Sequence, residues 1–166
     1  MFDWLKKLFG KKDQKLASCC GGGCCGETLD KLMSFDFGLS DRDREQMRAI
    51  DDLVVIGKVV EIRSHADATI TKVKVTICDL GNGEMVQILC GGVNLEEGQV
   101  VPVARVNATL PGDFQIGERD IRGEMSYGMI CASKELGLER EEEDKYIWPL
   151  PLEAERFLGM PLNRFV

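Results

Sequence analysis

The feature that most constrains this chain is a run of β-branched residues that begins at Leu53. "LVVIGKVVEIR" leads to "TITKVKVTICDLG", and "GNGE" (Gly81 to Glu84) follows with the Asn-Gly pair that accepts the positive φ of a tight hairpin. In the second run Val73, Val75 and Ile77 alternate with Lys72, Lys74 and Thr76. That period of two predicts a strand with an apolar face and a polar face. "EMVQILC" and "VVPVARVNATL" supply two more strands across the Gly-rich "GGVNLEEGQ". "PGD" turns the chain again, and "FQIGERDIRG" reads as a further short strand or hairpin. Five or so strands at this spacing predict a mainly β domain closed into a small barrel, which leaves no edge exposed. "ASKELGL" reads as a short helical turn stopped by Gly137.

The preceding segments have another character. In residues 1–17, Phe2, Leu5, Leu8 and Phe9 share one helical face, and residues 1–15 hold five lysines against two aspartates. Such a basic amphipathic helix suits either peripheral contact with an anionic membrane or docking on its own domain or a partner. Residues 18–52 form a Cys/Gly-rich linker and a helical arm. There "LSDRDREQMRAI" is a helix N-capped by Ser40, and Gly38 separates it from a shorter helix near Leu29 to Met33.

Within this arm, "SCCGGGCCG" places Cys19, Cys20, Cys24 and Cys25 around three glycines. Four thiolates favour zinc or another thiophilic metal. Vicinal pairs close a single tetrahedral site poorly, so ligands from a second protein would complete it. S-acylation beside the amphipathic helix and a redox-active vicinal pair are the other readings, and a flexible linker is the bland one. Cys78, Cys90 and Cys131 lie in or beside apolar strands and read as packing residues.

The apolar fraction is 44%, and the longest apolar runs fall far short of a bilayer span. The N-terminus lacks a signal-peptide pattern, so a cytoplasmic location is expected. A net charge of −7 excludes binding of nucleic acid by bulk electrostatics and requires a local basic patch instead. No nucleophile with an adjacent base, phosphate-binding glycine loop or helical zinc motif is present, so no enzymatic activity is expected.

From Leu53 to Leu138 the chain resembles the tRNA-binding domain of the oligonucleotide-binding-fold class. This domain occurs in the phenylalanyl-tRNA synthetase beta subunit and in stand-alone tRNA-binding proteins. "VIGKVVEI", "QILCGGVNLEEGQVVPVA", "ATLPGDFQI" and above all "IRGEMSYGMICASKELGL" carry the resemblance. The tail "YIWPLPLEAERFLGMPLNRFV" is similar to the segment that closes this domain in the beta subunit, so residues 139–166 read as a closing segment. The family's His-Pro-Asn/Asp-Ala-Asp becomes "SHADATITK" here, without the proline and about two residues longer, so that only His65 and Asp67 carry over. The rest of a beta subunit is not present after Val166 and residues 1–52 are expected not to resemble that subunit's start, so the expectation is a stand-alone relative or else a truncated piece.

The resemblance implies a five-stranded oligonucleotide-binding-type barrel behind an N-terminal helical, Cys-rich extension. Its expected partner is tRNA or another structured RNA, and it needs no cofactor. Lys72 and Lys74 on the polar strand face, with Lys58 and Arg63 on the first strand, are phosphate candidates. Arg122, Ser126 and Lys134 lie in the best-matched motif, Asn94 in the inter-strand loop, and His65 is the single histidine. For each of these, a solvated or loop-fixing role stands beside RNA contact, and Met129 reads as core. Residues 53–138 hold eight Lys/Arg against eleven Asp/Glu and only Phe114 and Tyr127 as aromatics, which makes a stacking platform thin. A protein-interaction or assembly module, including a homodimer as is common in the family, is therefore the alternative. A metal-responsive or membrane-tethered adaptor working through residues 1–26 is the other.

Overall fold

A computed structural model describes residues 37–139 and 145–166. The amphipathic helix of residues 1–17 and the four clustered cysteines lie outside the described residues. The main sheet is antiparallel and runs β3 (Met85–Cys90), β2 (Lys74–Asp79), β1 (Val54–Ser64), β4 (Val100–Arg105), β9 (Gly128–Ile130). Two hairpins sit between β4 and β9: β5 (Thr109–Leu110) with β6 (Phe114–Gln115), and β7 (Arg119–Ile121) with β8 (Glu124–Ser126). The Tyr127 N–H donates to the Gln87 carbonyl at 2.9 Å, joining the last strands back to β3 and nearly closing the expected five-stranded barrel.

β1 serves two partners in turn. Val54 to Lys58 pair with β4, and Lys58 to Ser64 pair with β2. A bulge between Val59 and Glu61 bends the strand from one ladder into the other and leaves Val60 exposed. Because β2 pairing starts only at Lys58, Ile56 has no strand on that side. The C-terminal segment fills the gap: Ile56 N–H donates to Met160 O at 3.0 Å, and Gly159 N–H donates to Ile56 O at 2.8 Å. Gly159 holds a φ of +82° there, and a side chain at this position would collide with the Leu80 carbonyl.

The unbroken apolar run at the start of β1 now has its cause, since the strand is covered on both faces. Val55 and Val59 join Cys78, Leu80, Ile88, Val101, Val103 and Ile130 in the barrel interior. Val54 and Ile56 face a second cluster built with Met47 and Ile50, Trp148, Leu150, Leu162 and Phe165. Each such buried side chain contributes about 1.5–3 kcal/mol. Phe37 meets Trp148 edge to face, with centroids 5.7 Å apart.

The helix α1 (Asp41–Arg48) is N-capped by Ser40 as expected, the Asp43 N–H donating to Ser40 Oγ at 3.1 Å. Asp43 Oδ1 in turn accepts the Glu139 N–H at 2.9 Å, which docks the helix on the chain beyond the barrel. The turn Lys134–Leu136 ends at Gly137 with φ +75°, as predicted.

One expectation is corrected. Thr76, placed by its alternation on the polar outer face of β2, is fully buried. It shares a side with Cys78 and pairs with Ile88 across the ladder, while Val75 and Ile77 lie on the opposite side. Its hydroxyl donates to the Ile88 carbonyl at 2.7 Å, so a threonine sits among apolar neighbours without a desolvated polar atom. Val75 on the other face is also buried.

Candidate nucleic-acid interface

β1 ends at Ser64, and the chain returns to β2 through a loop that meets the tip of the β7–β8 hairpin. At that tip Arg122 and Gly123 have φ of +50° and +88°, the pair of positive values that a two-residue hairpin loop requires. Arg122 Nη1 donates to Asp67 Oδ2 at 3.0 Å and to Thr69 Oγ1 at 2.7 Å. The Asp67 carboxylate also accepts the Thr69 hydroxyl at 2.7 Å and the Thr69 N–H at 2.9 Å. These bonds, Thr69 first and the guanidinium after it, hold the carboxyl far below the usual range.

His65 is buried beside them. Its Nδ1 accepts the Asp67 N–H at 2.9 Å, so Nε2 carries the proton and donates to the Ile121 carbonyl at 2.8 Å. Closer to the barrel, Arg63 forks onto both oxygens of Glu124 at 2.7 and 2.9 Å. That fork, with Gln87 donating to the same carboxylate, lowers the Glu124 titration. The two arginines expected to meet phosphate are thus compensated within the protein, and His65 has a structural place.

Ser126 and Asn94 hold the framework too. Ser126 Oγ accepts the Leu89 N–H at 3.0 Å and donates to Gly128 O at 3.1 Å, bridging β3 to β9. The Asn94 side chain pairs with both the N–H and the carbonyl of Ile147 at 2.8 Å each, fixing the closing segment to the β3–β4 loop. Lys58 pairs with Glu155 at 2.7 Å.

Lys72 and Lys74 remain exposed and make no ion pair among the described residues. Lys74 stands across the ladder from Cys90, and the Lys72 carbonyl lies against Gly91. Val93 N–H donates to the carbonyl of Lys145 at 3.2 Å, which brings a third exposed lysine to this end of the barrel. A cleft of about 250 Å³ opens there, lined among others by Gly91, Gly92, Glu135 and Lys145. Lys134 is exposed on the turn that borders it. Sequence reasoning missed Lys145, which follows an acidic run and carries no motif.

The three barrel cysteines pack as expected. Burial pushes the Cys78 thiol up to about 12 and raises Cys90 and Cys131 as well, so none is poised as a nucleophile. No group of three or more His, Cys, Asp or Glu among the described residues is arranged to hold a metal ion. Among the same residues no helix is long and apolar enough to cross a membrane.

The nearly closed five-stranded antiparallel barrel is of the oligonucleotide-binding type. The family model for the tRNA binding domain matches residues 54–156, and the chain belongs to that family. It is 38% identical to the phenylalanine–tRNA ligase beta subunit of Chlorobaculum tepidum, in an alignment covering 99% of this chain and 19% of that subunit. The beta subunit of Vibrio cholerae is 43% identical over 63% of this chain and 13% of its own length. The chain therefore spans a fifth or less of these relatives. The first match takes in nearly all of residues 1–52, which corrects the expectation that they do not resemble such a subunit. Among solved structures, a MetRS-related protein from Pyrococcus horikoshii aligns over 74% of this chain and 96% of its own, at 21% identity and a TM-score of 0.46.

Proposed function

We propose that the chain is a non-catalytic tRNA-binding module, and that it meets the phosphate backbone of tRNA or another structured RNA at the barrel end carrying Lys72, Lys74 and Lys145. Membership of the tRNA binding domain family is the observation that carries this reading. These exposed lysines, which make no ion pair among the described residues, support its placement, because phosphate can approach a solvated cation there. Arg63 and Arg122 play a different part: they hold the hairpin to the barrel, and their charge is spent on Glu124 and Asp67. With a net charge of −7, affinity depends on this local patch and falls steeply with salt.

Retardation of unmodified tRNA at several salt concentrations tests the reading. The double reversal Lys72→Glu/Lys74→Glu is expected to weaken binding and to lower the log–log salt slope by about 1.4–1.8, the loss of two phosphate contacts. Wild-type affinity and slope in that variant would remove the lysine edge from the interface. Absence of any retardation at low salt would refute tRNA binding itself.

A further inference from the structure

Apart from the lysine edge, the β5–β6 and β7–β8 hairpins border a cavity of about 140 Å³ with different chemistry. Its apolar lining is Leu89, Ile116, Ile121 and Met129. Phe114 also lines it and is 46% exposed, one of few large apolar side chains the described surface leaves uncovered. Arg119 and Gln115 supply the polar groups of the wall. Arg119 faces Ser126 across the β7–β8 ladder, so its side chain leaves the hairpin on the cavity side. Arg63, Arg105 and Arg122 are each tied to a carboxylate, whereas Arg119 makes no ion pair among the described residues.

The volume selects the ligand class. An enclosed apolar cavity of about 150 Å³ holds one benzene ring, so a recess of this volume has room for one flat ring. An apolar floor, an exposed aromatic, a carboxamide and an uncompensated guanidinium together suit an unstacked nucleotide. We infer that the cavity receives one flipped-out nucleobase of a bound RNA, with Phe114 stacking on the base, Gln115 meeting its edge and Arg119 meeting the adjoining phosphate. The inference rests on the tRNA-binding reading and adds a base-binding subsite to it. It also supplies the stacking platform that the aromatic content of residues 53–138 made thin.

The assay replaces Phe114 by Trp and titrates the full chain with unmodified tRNA at low salt, following retardation and indole fluorescence together. Wild-type protein, with Trp4 and Trp148, gives the background. A base stacked on position 114 quenches the added indole, with saturation at the concentration that saturates retardation. Phe114→Ala is expected to weaken binding about tenfold at unchanged Tm, and Arg119→Ala to lower the salt slope by about 0.7. Intact retardation without quenching, and with Phe114→Ala within twofold of wild type, would overturn the base site while leaving tRNA binding in place. Loss of retardation in the wild-type protein would overturn both.

Discussion

Ser126→Ala removes one oxygen from the seam where β8 and β9 return to β3. That oxygen accepts the Leu89 N–H and donates to the Gly128 carbonyl, and the residue is 5% exposed. A typical hydrogen bond contributes about 1 kcal/mol net, whereas stranding a buried backbone group costs about 1–3 kcal/mol. Leu89 is only half-buried, so water partly satisfies its amide and the total settles near 2 kcal/mol. At about 2–4 °C per kcal/mol for a chain of this size, Tm falls by roughly 4–8 °C. Thermal unfolding measures the shift, and amide exchange locates it. Protection should drop at Leu89 before it drops at Tyr127, whose own bond to Gln87 O is untouched. Affinity for tRNA, measured where both proteins are folded, should stay within twofold because the hydroxyl is already engaged by the Leu89 N–H and the Gly128 carbonyl. An unchanged Tm with Leu89 still protected would refute the barrel-closing role. A tenfold loss of affinity at unchanged Tm would return Ser126 to the RNA interface.

The hairpin clamp has an acid limb. Asp67 and Glu124 titrate below the ordinary carboxylate range in the folded state, so around pH 4 the unfolded chain binds more protons than the folded one. Their stabilisation is complete above that region and is lost as pH falls through the lower folded-state values. Asp67→Asn/Glu124→Gln should therefore lower Tm at pH 7, and its gap to wild type should narrow progressively as pH falls below about 4; a gap that stays constant from pH 7 down to pH 2 would contradict the clamp. Asn94→Ala strands both the N–H and the carbonyl of Ile147 and is expected to cost about 2–3 kcal/mol, read by denaturant unfolding. An effect under 0.5 kcal/mol would show that Asn94 does not hold the closing segment.

Local signals were the legible ones. The hairpin at Gly81–Glu84 closes through Leu80 N–H to Glu84 O at 2.9 Å, and Ser40 and Gly137 begin and end their turns, because capping and positive φ are decided within a few residues. The face assignment of β2 was not legible. Lys-Val-Thr-Ile alternates cleanly, yet the side that enters a barrel depends on ladder partners, and Ile88 offers Thr76 an acceptor that no local pattern announces. Neither was the role of the arginines, since the carboxylates that neutralise them stand 55 and 61 residues away in sequence. Phe114 and Arg119 likewise come to line one cavity only when two hairpins fold beside β9.

The amino-acid sequence by itself determined that this chain forms a β barrel of the tRNA-binding type, with a helical approach and buried thiols. Its strand periodicity, turn residues and motif order are properties of neighbouring positions, and they survive without a tertiary context. Only the tertiary structure decided which polar side chains are spent on the fold and which are left for a ligand. An arginine, serine or asparagine has the same chemistry in either role. What separates the roles is whether a partner has been brought within about 3 Å by a distant part of the chain.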